Sequence, residues 1–204
     1  MKDEQLPKHL PRMFSLIKNE SWGLEDDQIM HRDIKLENIM ISYNNDDDLN
    51  NLNLLKARIK IIDFGSAIKG FGRTILGSEL TMDPFIINKY TKNLTSGINE
   101  KLIYDLKVDI WSIGAVCYQM ATGKTLFNPS SIDDLSKKVE EGTYTVPTTL
   151  SREIISFLIC MLQYESEKRL SVEELAAHPF LTKNIREFRK IDITKLSKYI
   201  VIKD

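Results

Sequence analysis

At 204 residues and 42% hydrophobic content, the chain has the length of about one domain and enough apolar material to bury a sizeable core. Its 28 basic and 29 acidic residues are well mixed and leave a formal charge of -1, so no polybasic face advertises nucleic acid or an anionic membrane. The charged start, Met1-Lys2-Asp3-Glu4-Gln5, leads into no signal-length apolar stretch. The most apolar segment, 110 to 121, is well short of the roughly 20 residues that span a bilayer, so it reads as a core helix. Cys117 and Cys160 each sit in apolar sequence with no ligand-spaced Cys or His, and read as reduced core residues. An intracellular, cytoplasmic protein with no nucleic-acid or membrane partner is the expectation.

In chain order, Leu10, Met13, Phe14 and Ile17 recur at helical spacing after Pro11 and predict a short amphipathic helix that ends before Gly23. Met40 to Tyr43 and Arg58 to Ile62 are strand-like runs joined by a long tip rich in Asn, Asp and Leu. Residues 63 to 108 have no sustained period, carry five of the nine glycines, and include 91 to 97 as an expected loop. So long an aperiodic stretch in a compact domain points to a functional segment. Helical patterns then take over. The first runs from Asp109 to Thr122, apolar nearly all round and closed by Gly123. Ser131 opens a polar helix that stops at Gly142, Ser151 one that reaches about Leu162, and Ser171 with Glu174 has capping-box spacing. Residues 182 to 204 read as a tail with Ile191, Ile193, Leu196 and Ile200 as docking points.

The chemistry concentrates in His31-Arg32-Asp33-Ile34-Lys35-Leu36-Glu37-Asn38, followed by the two strands and then Asp63-Phe64-Gly65. Phosphoryl transfer needs few covalent steps from a protein; it needs groups that place a nucleophile and spread charge. An aspartate, a lysine and an amide at this spacing supply such groups, and a further carboxylate suits Mg²⁺, which prefers oxygen ligands and commonly takes one or two carboxylates. Asp109-Ile110-Trp111-Ser112-Ile113-Gly114, Lys168-Arg169-Leu170-Ser171 and His178-Pro179-Phe180 complete the series.

This succession resembles the carboxy-terminal lobe of eukaryotic-type serine/threonine protein kinases over about residues 29 to 181, with Ile34 where the pattern prefers Leu. The resemblance implies a mainly α fold: a helical bundle with a short β-hairpin at the catalytic cleft. It implies transfer of the ATP γ-phosphoryl group to Ser or Thr of protein substrates, with ATP and Mg²⁺ bound. Asp33 is then the base and Lys35 the charge stabiliser; Asn38 and Asp63 hold Mg²⁺, and Met40 lies under the adenine while also being a strand core residue. His31 and Asp109 are structural, Asp109 tying the loop's backbone to the central helix. Arg32 faces the activation segment, where Thr74 is a phosphorylation position and equally a solvated loop threonine. Ser78 buttresses Asp33 and Lys35, and Glu37 favours a basic residue upstream of the acceptor, although Gln119 lacks the second acid. Lys35, two residues after Asp33, points to Ser or Thr rather than Tyr.

The chain also departs from the family. It holds no G-x-G-x-x-G, since Gly70-Phe71-Gly72 is followed by Ile75, so the N-terminal β lobe is expected to be missing. Residues 1 to 28 then form a partial, divergent start, 29 to 181 the lobe and 182 to 204 the tail. A bared cleft predicts weak nucleotide binding, an exposed apolar strip at Met40 and Ile62, and self-association. Met82-Asp83-Pro84-Phe85 replaces Ala-Pro-Glu, leaving Asp83 or Glu79 to pair with Arg169. Segments 44 to 55 and 86 to 104 are longer than the family's and are expected on surface loops. The alternative to an enzyme is a truncated fragment or pseudokinase scaffold that binds an intact kinase or a regulatory protein, using the groove near Asp133 to Glu141.

Overall fold

The computed structural model describes residues 29–44, 50, 56, 58–96, 101–142, 144–182 and 200–203. The amphipathic helix expected after Pro11, the docking residues Ile191, Ile193 and Leu196, and most of the tip between the strands lie outside the described residues.

Among the described residues, three two-stranded sheets flank a body of helices. Strands β1 (Ile29–Met30), β2 (Ile39–Ser42), β3 (Arg58–Ile61) and β4 (Ile68–Lys69) precede the helix that begins at Pro84. β2 and β3 form the expected antiparallel hairpin, Ile39 opposite Ile61 and Ile41 opposite Ile59. Ile59 and Ile61 point into the core while Lys60 faces out, the period-2 alternation of a half-buried strand. β1 pairs antiparallel with β4, and each is only two residues long.

Helix α1 (Pro84–Ser96) corrects the reading of 91 to 97 as a loop over residues 91 to 96, Gly97 lying outside the described residues. Asp83 accepts the Phe85 N–H at 2.7 Å and Pro84 fills the first turn, so the helix has a conventional start. Ile86, Ile87 and Thr91 are buried on it, and the Ser136 hydroxyl of a facing helix bonds Thr91 at 3.0 Å. Tertiary contact thus holds a segment whose Asn, Lys and Thr content hides the helical period.

Central helix α2 (Lys107–Thr122) starts two residues earlier than expected and ends where Gly123 takes φ 72°. Twelve of its residues, Val108 to Tyr118 and Ala121, are buried, which explains why it is apolar nearly all round. Around it lie α3 (Ile132–Glu141), α4 (Arg152–Met161), α5 (Val172–Ala176) and α6 (Pro179–Thr182). Ser131 caps α3 through the Asp134 N–H, and Ser171 with Glu174 makes the reciprocal capping box of α5. Ser151 occupies the N-cap of α4 without a side-chain bond. Strand β5 (Tyr144–Pro147) pairs in parallel with β6 (Ile200–Lys203), so the end of the expected tail is a strand.

Cys117 is buried, Cys160 partly buried, and both are free. Burial pushes their thiols up to about 12 and about 11, so both stay protonated. Among the described residues, no helix is long and apolar enough to cross a membrane. Of the expected apolar strip, Met40 is 51% exposed and joined by Ile41, whereas Ile62 is half-buried.

Candidate active site

The loop between β1 and β2 is anchored before it is functional. Asp109, buried in the first turn of α2, accepts the backbone N–H groups of His31 at 2.7 Å and Arg32 at 2.9 Å. Burial pushes its carboxyl up to about 6, against the lowering effect of those two bonds. His31 bonds the Ile62 carbonyl through Nε2 at 3.0 Å and faces the Asp33 N–H through Nδ1 at 3.3 Å. That network assigns the proton to Nε2. The edge of Phe64 packs on the imidazole at 4.8 Å between centroids. His31 therefore ties the loop to the end of the β2–β3 hairpin.

Asp33, Lys35, Asn38 and Ser78 converge. The Ser78 hydroxyl donates to Asp33 Oδ1 at 2.7 Å and accepts from Lys35 Nζ at 2.8 Å. Lys35 Nζ also pairs with Asp33 Oδ2 at 3.0 Å, and Asn38 Nδ2 donates to the Asp33 carbonyl at 2.8 Å and to Oδ2 at 3.2 Å. Burial raises the Asp33 carboxyl, but the bonds from Ser78 and Lys35, the Lys35 charge and the Asn38 bond outweigh it and hold the group below its usual range. Its hydrogen bond to Asp33 in turn raises Lys35. The pair is ionised at neutral pH.

Gly77 makes the Ser78 contact possible. Its φ is 115°, and a Cβ there would lie 2.4 Å from the Arg32 carbonyl, so only glycine lets the activation segment cross the loop this closely.

Asp63 adopts φ 63°, ψ 66°, and its exposed carboxylate faces the Gly65 N–H at 3.4 Å. The Ile62 N–H bonds the Asn38 carbonyl at 2.9 Å, which brings Asp63 and Asn38 to the same end of the hairpin. Both bonds from the Asn38 side chain use Nδ2, leaving Oδ1 as a hard acceptor. Among the described residues no three His, Cys, Asp or Glu side chains cluster as a metal cage. An amide oxygen plus one exposed carboxylate is a donor set that fits Mg²⁺, which keeps most of its water and phosphate ligands.

Arg32, at φ 66°, sends Nε to the Ser66 carbonyl at 2.6 Å and Nη1 to the Thr74 hydroxyl at 2.8 Å. Tyr104 is a site residue that sequence reasoning missed: its hydroxyl donates to the Thr74 carbonyl at 2.6 Å and accepts from Arg32 at 3.3 Å. It lies in the aperiodic stretch, and no local pattern signals a partner so far along the chain. Glu37 is exposed beside Asn38, and Met40 on β2 presents its side chain to solvent rather than to the core. Asp83, buried, is the partner of Arg169.

A family model described as the protein kinase domain matches residues 23–181. The chain belongs to the protein kinase family. Among its relatives, serine/threonine-protein kinase atg1 of Dictyostelium discoideum is 31% identical over 165 residues, covering 79% of this chain and 22% of that protein. Serine/threonine-protein kinase ATG1c of Arabidopsis thaliana is 33% identical over 167 residues, 78% of this chain and 20% of the relative. Serine/threonine-protein kinase 33 of Bos taurus is 30% identical over 186 residues, 86% and 35% respectively. The chain thus spans about a fifth to a third of the length of these relatives.

Proposed function

We propose that this chain carries the phosphoryl-transfer site of a protein serine/threonine kinase, moving the γ-phosphoryl group of ATP to a Ser or Thr hydroxyl of a protein substrate. The observation that carries the proposal is the Ser78 hydroxyl held between Asp33 and Lys35 at 2.7 and 2.8 Å, with Asn38 on the other carboxylate oxygen.

The Asp33 carboxylate orients the acceptor hydroxyl and takes its proton as the new O–P bond forms and the bond to the departing diphosphate breaks. A carboxyl held low is a weak base, which suits a loose transition state that asks for positioning more than deprotonation. Lys35 sets a positive charge beside the transferring group. Asn38 Oδ1 and Asp63 hold Mg²⁺, which supplies charge neutralisation on the phosphates when bound. Met40, exposed on β2, provides an apolar floor for the adenine, and Glu37 favours a basic residue upstream of the acceptor. Phosphate on Thr74 would strengthen the existing bond from Arg32. The reaction belongs to the cytoplasm, where ATP is at hand and thiols like Cys117 and Cys160 stay reduced.

Calorimetric titration of the 204-residue chain with Mg²⁺-ATP, beside Asp63→Ala, tests the reading. Sub-millimolar binding that the substitution abolishes supports it, and transfer of labelled phosphate to a Ser/Thr peptide library completes it. No binding would favour the other reading, a non-catalytic module that engages an intact kinase or a regulatory protein.

A further inference from the structure

The activation segment and the stretch leading into α2 run side by side. Gly72 and Tyr104 form an antiparallel bridge, with N···O distances of 2.9 and 3.2 Å, and the Tyr104 hydroxyl bonds the Thr74 carbonyl. A Cβ on Gly72 would lie 2.0 Å from the Tyr104 ring, so the ring lies directly against the glycine. These contacts fix two walls of a cleft of about 390 Å³, one carrying Arg73 and Thr74 and the other Lys101.

The charge in this cleft is one-sided. Arg73 and Lys101 are exposed, and among the described residues neither pairs with a carboxylate and no carboxylate lines the cleft. Arg32 adds a third cation at the Thr74 hydroxyl, 2.8 Å away. In a chain of net charge -1 this local excess is not background. Because Thr74 Oγ1 accepts from Arg32, its own proton is left to donate. Cations with a hydroxyl donor match a phosphate monoester, whose charge of about -1.5 to -2 and three acceptor oxygens call for several donors at once.

We infer that this cleft binds a phosphate group carried by a protein partner, as a phosphoserine or phosphothreonine peptide. Ile75 and Leu102 give the cleft an apolar lining, and its volume exceeds that of a lone phosphate, so the occupant includes residues flanking the phosphorylated one. The inference rests on the proposed kinase reading only in making that peptide a substrate, since Thr74 lies on the same segment as Ser78. Binding itself needs no phosphoryl transfer.

Fluorescence polarisation on the full 204-residue chain tests it, with a labelled peptide library fixed at a central phosphoserine and the same library carrying serine. The phosphorylated library should bind at least about ten-fold more tightly, with a preference that shrinks as salt rises. Arg73→Gln and Lys101→Gln should each weaken it several-fold, the double variant should erase the preference, and Arg73→Lys with Lys101→Arg should restore most of it. Both residues are exposed, so unchanged melting curves for the variants are expected. Asp63→Ala should leave phosphopeptide binding intact, which separates failure of this site from failure of the nucleotide site. Equal binding of the two libraries, a preference that survives the double variant, or competition by inorganic phosphate without any peptide preference would each overturn the inference.

Discussion

The guanidinium of Arg169 and the carboxylate of Asp83 meet in the interior, their side chains 0% and 2% exposed. Arg169 is fixed independently: Nε donates to the Gln163 carbonyl at 2.7 Å, Nη1 to the Lys107 carbonyl at 2.8 Å, and its planar head lies 5.1 Å from the Trp111 ring centroid. Asp83 therefore replaces, from the near side of Pro84, the glutamate that the family carries on the far side, while Glu79 stays exposed. Removing one partner of a buried pair strands the other charge, so Asp83→Ala should cost about 3 to 5 kcal/mol. Glu79→Ala should stay within about 0.5 kcal/mol. Urea denaturation of the two variants gives the answer, and equal small effects would remove Asp83 from this role.

Ser78 offers a test of the site that spares its charged groups. Ser78→Ala deletes one bond to each member of the Asp33 and Lys35 pair. Hydrogen bonds to charged groups are worth about 1.5 to 3 kcal/mol, so phosphoryl transfer to a peptide should slow by roughly ten- to a hundred-fold. Ser78→Thr keeps the hydroxyl and should keep most of the rate. Asp33→Asn should fall further, by about 10² to 10⁴. If Ser78→Ala turned over like the parent, the buttress would have no part in the chemistry.

Legibility in the sequence followed the kind of constraint each part obeys. Asp33, Lys35, Asn38 and Asp63 stand out because charge placement fixes both residue type and spacing, and the caps at Ser131 and Ser171 stand out because unpaired N–H groups demand a hydroxyl. Helix α1 was hidden, although Asp83-Pro84 is a start signal, because its buried Ile86 and Ile87 are followed by Asn88, Lys89, Lys92 and Asn93, which mask the helical period, and it leans on α3. Two-residue strands such as β1 and β4 carry no period at all. Tyr104 was hidden for a different reason: its bonds reach back to Arg32 and Thr74 across the whole activation segment, and only the folded chain brings them together.

His178 sets a pH dependence. It is buried, with Nδ1 accepting the Phe180 N–H at 3.1 Å and Nε2 3.2 Å from the Ser156 hydroxyl. Burial lowers its pKa from 6.5 to about 4. The unfolded chain then takes up a proton that the folded one refuses, so this contribution is whole above 6.5 and is lost as pH falls towards about 4. Asp109, raised from 3.8 to about 6, has the opposite slope over much of that window, losing its contribution as pH rises. The two partly cancel in the whole protein. His178→Asn keeps an acceptor for the Phe180 N–H and removes the titration, so it should gain stability relative to the parent between about pH 7 and about pH 4.5 in paired urea melts. Parallel curves would show that His178 does not titrate in this way.

Gly114 lets α2 and the end of α4 approach. A Cβ there would meet Leu162 Cδ2 and Met161 Cβ at 2.9 Å, and neither neighbour is a free-ended surface chain, both being fully buried. In an open helix the change from glycine to alanine gains about 0.5 to 1 kcal/mol. Here overpacking, typically about 1 to 3 kcal/mol, should win, and Gly114→Ala should be destabilised. Leu162→Ala alone should cost about 2 to 5 kcal/mol by leaving a cavity. In the double variant the new methyl enters the space that Leu162 vacates, so the combined loss should fall short of the sum by about 0.5 to 3 kcal/mol. Strict additivity in chemical denaturation would mean that the two helices part to admit the methyl, and that the close approach at Gly114 is not what sets their spacing.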